Sequence, residues 1–343
     1  MFPSRGPAAA KARLALLAFG LLLLWFFQPG NSLDPVERGL YAKVRAAQEH
    51  LYSWRFSGKP VPAADPWKTG LIGLEWSPLT TTLGDLPAKR TACDPLWAVR
   101  FRRWYAQSGL KAGDRVAILA SSSFPGLVLS AISAAESLDL DLFLGVSLGA
   151  STWGANDPGH PWPDIEAELR KAGFIRAKSA FYTLGGDGEA GGGIPPEGIT
   201  LLTSAAARAG VPLRFPRSLE EAVRMKWESL AGFRPLLLVS VGGSHGNLGS
   251  DPAILDLPPG LLLPGKVPGG GNGVLGKWLD SGRPAVHALN IREMARREGI
   301  PFDSPPQARF SSPGGTLRAV LGLALFFGVL LTHRRWEWRD DHG

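Results

Sequence analysis

Two similar stretches of the chain concentrate side chains that can carry out polar chemistry. Residues 146–158 are VSLGASTWGANDP and residues 239–252 are VSVGGSHGNLGSDP, and both end in Asp-Pro. Their hydroxyl, amide and carboxylate groups can bind a polar ligand, and Ser, His and Asp together can form a nucleophilic catalytic site. The glycines allow a ligand to approach the backbone. The repetition therefore predicts that both stretches line one crevice.

Two further groups of residues suit an anionic ligand. Ser121–Ser123 precede a helix expected to begin near Pro125, whose free N–H groups favour a carboxylate or phosphate. N-capping by Ser123 is the alternative. Lys89 and Arg90 offer charge-assisted hydrogen bonds, although a solvated turn also explains them. The predicted ligand-binding residues are Ser121, Ser122, Ser123, Ser151, Asn156, Asp157, Ser244, His245, Asn247, Lys89 and Arg90.

A catalytic role for the same residues is the alternative hypothesis, and whether the protein is an enzyme stays open at this stage. Ser122 or Ser244 would be the nucleophile, His245 the base, and Asp157 or Asp251 the group that orients the base. Residues 242–246 fit the G-x-S-x-G pattern, but residues 247–252 are typical of a loop where a hydrolase elbow requires a helix.

No metal or cofactor is predicted. The histidines show neither an i, i+4 pair nor a H-E-x-x-H pattern, and Cys93 is the only cysteine. Residues 271–276, GNGVLG, fit G-x-G-x-x-G, but no clear strand precedes them, which argues against a dinucleotide site.

Composition allows a sizeable core and argues against nucleic acid as a partner. The chain has 343 residues, of which 45% are hydrophobic, and a formal net charge of +7. Its basic residues are dispersed along the chain, whereas nucleic-acid binding usually clusters them.

Short apolar runs alternate with helical patterns from about residue 70 onward, which favours βαβ units. RVAIL, LDLFLGVS and RPLLLVSV are predicted strands, and residues 70–76, GLIGLEW, are another candidate. The expected fold is α/β, with a mostly parallel sheet, helices on both faces, internally similar halves and two flanking transmembrane helices. In such a sheet a ligand binds beyond the carboxyl ends of the strands, where both Gly/Ser stretches begin.

Apolar segments near both ends predict a two-pass membrane protein. Residues 14–30 and 315–332 are the expected spans, each with flanking Lys or Arg; a cleaved signal peptide is the alternative for the first. The charge bias places the termini, residues 1–13 and the basic tail 333–343, in the cytoplasm. The remaining predicted parts are an amphipathic juxtamembrane helix at 34–56, a linker at 57–69 and an extracytoplasmic α/β domain at 70–310.

Several blocks between residues 70 and 305 resemble the poly-γ-glutamate system protein family. They are LEWSPLTTTLGDLPAKRT, AILASSSFPGLVLSAISAAESL, VSLGASTWGANDP, VGGSHGNLG and PAVHALNIREMARREGIPFD, in that order along the chain. The resemblance implies a membrane component of bacterial poly-γ-glutamate capsule synthesis or export at the cell surface, and it implies no particular reaction.

Three hypotheses follow for the function. The first is a membrane-anchored component whose α/β domain binds or guides poly-γ-glutamate or a glutamyl precursor, with other membrane subunits and the lipid bilayer as partners. The second is a serine-type amidohydrolase or transpeptidase acting on γ-linked glutamate. The third is a structural membrane scaffold, for which the crevice residues would be unimportant.

Overall fold

A seven-stranded sheet forms the centre of the larger of the two units of the chain, which spans residues 34–308; residues 1–33 and 309–343 form the other. The computed structural model describes residues 15–21, 33–265, 271–310 and 320–328. The strands of the seven-stranded sheet are β2 Arg115–Ser121, β3 Asp141–Ser147, β5 Phe181–Thr183, β6 Leu213–Arg214, β7 Leu237–Val241, β8 Gly260–Leu262 and β9 Ala285–Ala288. Two further strands, β1 Thr80–Thr82 and β4 Ala150–Ser151, pair with each other in a separate parallel sheet.

Ten α-helices lie within the described residues of the larger unit. They are α1 Pro35–Phe56, α2 Leu86–Ala92, α3 Leu96–Gln107, α4 Pro125–Glu136, α5 Trp162–Lys171, α6 Pro196–Ala209, α7 Leu219–Phe233, α8 His245–Leu248, α9 Val274–Asp280 and α10 Ile291–Glu298. A short 3₁₀ helix spans Pro252–Asp256.

The sheet has the order β6-β5-β3-β2-β7-β9-β8, and only β8 is antiparallel to its neighbour. The chain proceeds outward from β2 through β3, β5 and β6, and then returns so that β7 pairs with the other edge of β2. The order therefore reverses at β2, which makes this the topological switch point of an open α/β sheet. The α/β fold and its mostly parallel sheet are confirmed.

Both faces of the central strand β2 are buried. Ala117 and Leu119 belong to an apolar cluster with Val223 of α7 and Trp278 of α9. Val116 and Ile118 alternate with them along the strand and are also fully buried, while α4 contacts β2 and β3. Coverage of both faces explains why β2 appears in the sequence as a continuous apolar run.

The amphipathic helix predicted at 34–56 exists as α1 and packs on α3, α4 and α5. Asp34 caps it, and Glu37 completes a capping box. Leu40, Val44 and Leu51 are buried beneath the helix. The predicted linker 57–69 lies in the same unit as this helix.

Residues 70–76 do not form the predicted strand. The Asn156 side chain instead bonds the backbone of this segment, because its Oδ1 accepts from Leu74 N and its Nδ2 donates to Leu74 O, both at 2.8 Å. The Trp153 backbone bonds the same segment, since its N–H donates to Leu74 O at 2.8 Å and its carbonyl accepts from Gly73 N at 3.1 Å.

The prediction of two transmembrane helices at 14–30 and 315–332 is contradicted. Among the residues that the structure describes, no helix is long and apolar enough to cross a membrane. Parts of both segments lie outside the described residues, as do the termini 1–13 and 333–343. The same finding contradicts the two-pass membrane localisation with an extracytoplasmic main domain.

Candidate active site

A pocket of about 500 Å³ lies at the carboxyl edge of the sheet. Ser121 ends β2 in register with Ser147 at the end of β3, and Ala120 of β2 pairs with Val241 at the end of β7. Because these strands end side by side at the switch point, the turns that follow them lie around one space. The polar and charged lining residues include Lys89, Ser121, Ser123, Ser147, Ser151, Ser244, His245, Asp85 and Asp187.

Both repeated stretches contribute a serine to this pocket at the same offset. Ser151 and Ser244 each follow, by five residues, the valine that begins its stretch, and both line the pocket. Beyond that point the two stretches fold differently, since the first forms the short strand β4 and the second forms α8. The repeat in sequence therefore places a serine hydroxyl at the same point of both stretches, but the secondary structure that follows is different in each.

Lys89 of α2 lies against the first of these serines. Its Nζ is 2.6 Å from Ser151 Oγ and also donates to the backbone carbonyl of Ser123. The ammonium lies 3.8 Å from the centroid of the Phe124 ring, within cation–π range. Only 3% of Lys89 is exposed, yet the residue lines the pocket.

The environment of Lys89 favours its neutral amine. Burial lowers the pKa of Lys89 to about 7, and none of the ion pairs recorded among the described residues includes this lysine. A group whose pKa lies near neutrality can exchange a proton at physiological pH, which is the property that a general base requires. A neutral amine has two N–H donors and one lone pair, so it can donate to Ser123 O and accept the Ser151 proton.

Two other serines hold the Ser151 backbone in place. Ser123 Oγ accepts from Ser151 N at 3.0 Å and from Ser121 Oγ at 2.9 Å. Ser121 and Ser123 thus form a short hydroxyl chain next to the Lys89–Ser151 pair. Helix α4 begins at Pro125 with Phe124 at its N-cap position, so N-capping by Ser123, the alternative considered for it, does not occur.

Close packing leaves no room for a side chain at Gly84, beside this pair. A Cβ atom there would lie 2.9 Å from Lys89 Cε and 3.2 Å from Ser151 Oγ. Glycine therefore lets the β1–α2 turn approach the two reactive groups closely.

A second buried lysine, Lys226 of α7, lies near the serine of the other stretch. Its Nζ is 2.5 Å from Glu189 Oε1, 3.1 Å from Ser244 Oγ and 3.0 Å from Asn247 Oδ1. Glu189 is fully buried, and burial by itself would raise its pKa. The charge of Lys226 and the hydrogen bonds to the carboxylate outweigh that effect and lower the pKa of Glu189 to about 2.

Ser244 is poorly suited to be a nucleophile in this environment. Its Oγ donates to Glu189 Oε2 at 2.9 Å, so the proton that a base would remove is bound to a weakly basic carboxylate. The backbone of Ser244, at φ −61°, is also unstrained. The prediction that residues 247–252 contain no helix is wrong in part, because the short helix α8 follows Ser244 directly.

His245 is half-exposed at the pocket rim. Its Nδ1 lies 3.1 Å from Gly188 N, which donates to it, and 3.2 Å from Asp187 Oδ1. No described contact joins its ring to Ser244.

Five of the predicted ligand-binding residues do not line the pocket, and each has another role; Asp251, the alternative orienting group, lies outside the pocket too and bonds Ala253 N. Ser122 is fully buried and bonds Leu148 O, since its side chain points away from those of Ser121 and Ser123. Asp157 pairs with Arg55 and His160; burial would raise its pKa, but these bonds lower it. The remaining three are Asn156, which bonds Leu74, Asn247, which bonds Leu119 O and Lys226, and Arg90, which pairs with Asp303.

Glu189, Lys226 and Ser147 were not identified from the sequence. One signal was available for Lys226, since it continues the buried stripe of Val223 and Leu230 along α7. A lysine within an apolar stripe indicates a buried partner. Glu189 lies in the glycine-rich segment GGDGEAGGG, which has the composition of a flexible loop and gave no such signal.

No arrangement suited to a metal ion occurs in the described parts of the chain, where no group of three or more His, Cys, Asp or Glu side chains converges. The polar side chains that line the pocket are hydroxyls, the Lys89 amine, the His245 imidazole and the carboxylates of Asp85 and Asp187.

Comparisons with known proteins return no relatives: no family model matches the chain, and neither a curated protein nor a solved structure matches it. The resemblance to poly-γ-glutamate system proteins therefore stays a prediction from the sequence.

Proposed function

We propose that this protein is a serine-type amidohydrolase or acyltransferase in which Ser151 is the nucleophile and Lys89 its general base. The observation that carries the proposal is the 2.6 Å contact between Lys89 Nζ and Ser151 Oγ within a polar pocket. A buried amine with a pKa near 7 can activate a hydroxyl in the way that an adjacent base activates a nucleophilic serine in other enzymes.

The reaction would proceed through an acyl-enzyme. Neutral Lys89 takes the proton from Ser151 as Oγ forms a bond to the carbonyl carbon of an amide. The resulting ammonium then returns that proton to the departing amine as the carbon–nitrogen bond breaks. A water molecule or a second amine, deprotonated by Lys89, then attacks the ester carbon. The carbon–Oγ bond breaks as the Lys89 ammonium returns the proton to Ser151 Oγ, which gives hydrolysis or transfer respectively.

The charges of the lining favour this role over the binding of a polyanion. Among the lining residues, which all lie in the described part of the chain, only Lys89 and His245 can carry a positive charge, whereas Asp85 and Asp187 also line the pocket. A run of polymer carboxylates would meet these two acids. A single amide group meets mainly hydroxyls and glycine backbone. A polymer-guiding role therefore has less support than acyl transfer.

Incubation of the full chain with amides tests the proposal. The panel contains γ-linked triglutamate, suggested by the family resemblance, and short peptide p-nitroanilides. We expect release of new amines at a rate that rises with pH through about 7, as Lys89 loses its proton. Phenylmethanesulfonyl fluoride should add one sulfonyl group, located by peptide mass spectrometry at Ser151.

Two variants and two matched controls assign the roles. Ser151→Ala should abolish turnover and Lys89→Met should reduce it about 10²–10⁴-fold. Ser250→Ala and Lys111→Met, at exposed positions outside the pocket, should preserve it. Full turnover by Ser151→Ala, or labelling of Ser244 in place of Ser151, would contradict the assignment.

A further inference from the structure

The glycine-rich loop 185–193 forms part of the pocket wall although its composition favours disorder. Gly185, Gly186, Gly192 and Gly193 all line the pocket. Glycine loses more backbone entropy on ordering than any other residue, so such a loop stays in one conformation only if something fixes it. Bridges between Gly185 and Ala190 and between Asp187 and Gly192 define its shape but do not attach it to the sheet.

Glu189 is the buried attachment of the loop, whereas Gly188 N and Asp187 contact only the half-exposed ring of His245 at the rim. The Glu189 carboxylate is fully buried, and the backbone of this residue adopts φ +64°, a conformation that side-chain-bearing residues rarely adopt. The tight turn at this residue directs the side chain inward, away from the exposed residues of the loop tip. An unfavourable backbone conformation at a non-glycine residue persists only where surrounding contacts hold it.

Five donors surround this carboxylate, and they come from four different elements. Oε1 accepts from Ser147 at the end of β3, from Thr183 Oγ1 at 2.7 Å and from Lys226 Nζ at 2.5 Å. Oε2 accepts from Ser244 Oγ at 2.9 Å and from Gly246 N at 3.0 Å. One side chain thereby joins the loop to the ends of β3 and β5, to α7 and to the N-terminus of α8, where Ser244 is the N-cap residue.

We infer that Glu189 is a positioning residue, which holds loop 185–193 as a fixed wall of the pocket that contains Ser151 and Lys89. The loop can leave the wall only if Glu189 is withdrawn from all five donors, which would leave Lys226 buried without its counter-charge. Because the loop glycines expose backbone to the pocket, a fixed wall presents its N–H and C=O groups to a substrate in one arrangement. This inference rests on the proposed acyl-transfer function for its effect on catalysis, but not for its effect on the loop.

Glu189→Gln in the full chain tests the inference, because the amide keeps the shape of the side chain and removes its charge. We expect backbone hydrogen exchange within residues 185–193 to accelerate at least tenfold, while exchange in β2 and β7 stays unchanged. The KM for the cleaved amide should rise at least tenfold. The pH midpoint of turnover should remain near 7, because it belongs to Lys89.

Glu197→Gln is the matched control, since it removes an exposed carboxylate in the first turn of α6 and should change neither measurement. If Glu189→Gln does not fold, Glu189→Asp replaces it, because the shorter side chain keeps the charge but cannot reach donors on both sides. Folded variants with unchanged loop exchange would overturn the inference, and so would faster exchange with an unchanged KM. If the unmodified protein shows no turnover that depends on Ser151, the proposed function fails, and hydrogen exchange alone still decides whether Glu189 holds the loop.

Discussion

Lys89 and Lys226 are alike in position and opposite in environment. Each is almost completely buried, at 3% and 2% exposure, and each contacts the serine that one of the repeated stretches contributes to the pocket. Lys226 has a buried carboxylate 2.5 Å away, whereas the described contacts of Lys89 are a hydroxyl, a carbonyl and an aromatic ring. A buried lysine therefore contacts a serine twice in this fold, once with a carboxylate beside the lysine and once with none among its described contacts.

The presence or absence of a neighbouring carboxylate distinguishes the two lysines. With Glu189 beside it, Lys226 acts as the cationic half of an internal ion pair that fixes two turns and a loop. Lys89 has no counter-ion among the described residues, and burial lowers its pKa to about 7, so it can accept and release a proton. The two buried lysines of this fold therefore differ in whether a carboxylate lies beside them.

The largest expected effect is on activity, from Lys89→Met. Loss of the general base should reduce turnover about 10²–10⁴-fold, the usual contribution of acid–base catalysis. The free energy of unfolding should change less than in Lys226→Met, because no buried carboxylate loses its partner. Steady-state kinetics and urea unfolding measure the two effects. An inactive Lys226→Met together with an active Lys89→Met would reverse the comparison.

Lys226→Met should have the largest effect on stability. Removal of this cation leaves the Glu189 carboxylate buried without a counter-charge, which costs about 3–5 kcal/mol. Urea unfolding followed by tryptophan fluorescence measures the loss. The double variant Lys226→Met/Glu189→Leu should recover part of it, since neither charge then remains. A loss below about 1 kcal/mol in the single variant would show that the pair contributes little.

The pH dependence of stability should distinguish the two lysines as well. The pKa of Lys89 is about 7 in the folded chain and 10.5 for the free side chain, so between these values the unfolded chain binds more protons. Stability linked to Lys89 should therefore rise with pH from about 7 to 10, by at most about 1.4 kcal/mol per pH unit. The difference in unfolding free energy between the wild-type protein and Lys89→Met, measured at pH 7, 8 and 9, isolates this contribution. A flat difference would contradict the lowered pKa.

The smallest effect on stability is expected at Asp94, a buried carboxylate outside the pocket for which no ion pair is described. Burial raises the pKa of Asp94 from 3.8 to about 7, and its Oδ2 has no hydrogen-bond partner among the described residues. The folded chain then binds more protons between pH 4 and 7, so stability falls as pH rises through that window.

Asp94→Asn should remove that decline and stabilise the protein at pH 8 by about 1–2 kcal/mol. Thermal unfolding at pH 5 and pH 8 measures the change, and turnover should be unaffected, because Asp94 does not line the pocket. A variant that is less stable than the wild-type protein at pH 8 would contradict the raised pKa.

Local patterns were sufficient to predict the framework of the site. The runs that became β2, β3 and β7 are continuous and apolar because both faces of the sheet are covered, and the stretches that follow them lie at one edge because the strands are parallel. Ser218 caps α7 as its position before Glu221 indicates. Lys89, Ser121, Ser123, Ser151, Ser244 and His245, all named from the sequence, line the pocket.

Local sequence patterns could not predict which way a side chain points or which distant residues form a pair. Ser121, Ser122 and Ser123 are the same residue type in a row, yet only the first and third line the pocket. Residues 70–76 look like a strand, but they form none and bond Trp153 and Asn156, far along the chain. The apolar segments near both ends predicted membrane spans from hydropathy, and among the described residues no helix of sufficient length exists there.

The sequence by itself therefore determined a parallel α/β sheet with two serine-bearing turns at its carboxyl edge, because hydrophobic periodicity and turn chemistry act over a few residues. Only the tertiary structure decided that Lys89 meets Ser151 while Lys226 meets Glu189. Those partners lie 62 and 37 residues apart, and their contact depends on how α2, α7 and the glycine loop pack around the strand ends. Burial and the presence or absence of a described counter-charge then follow from that packing, and they distinguish the lysine of lowered pKa from the ion-paired one.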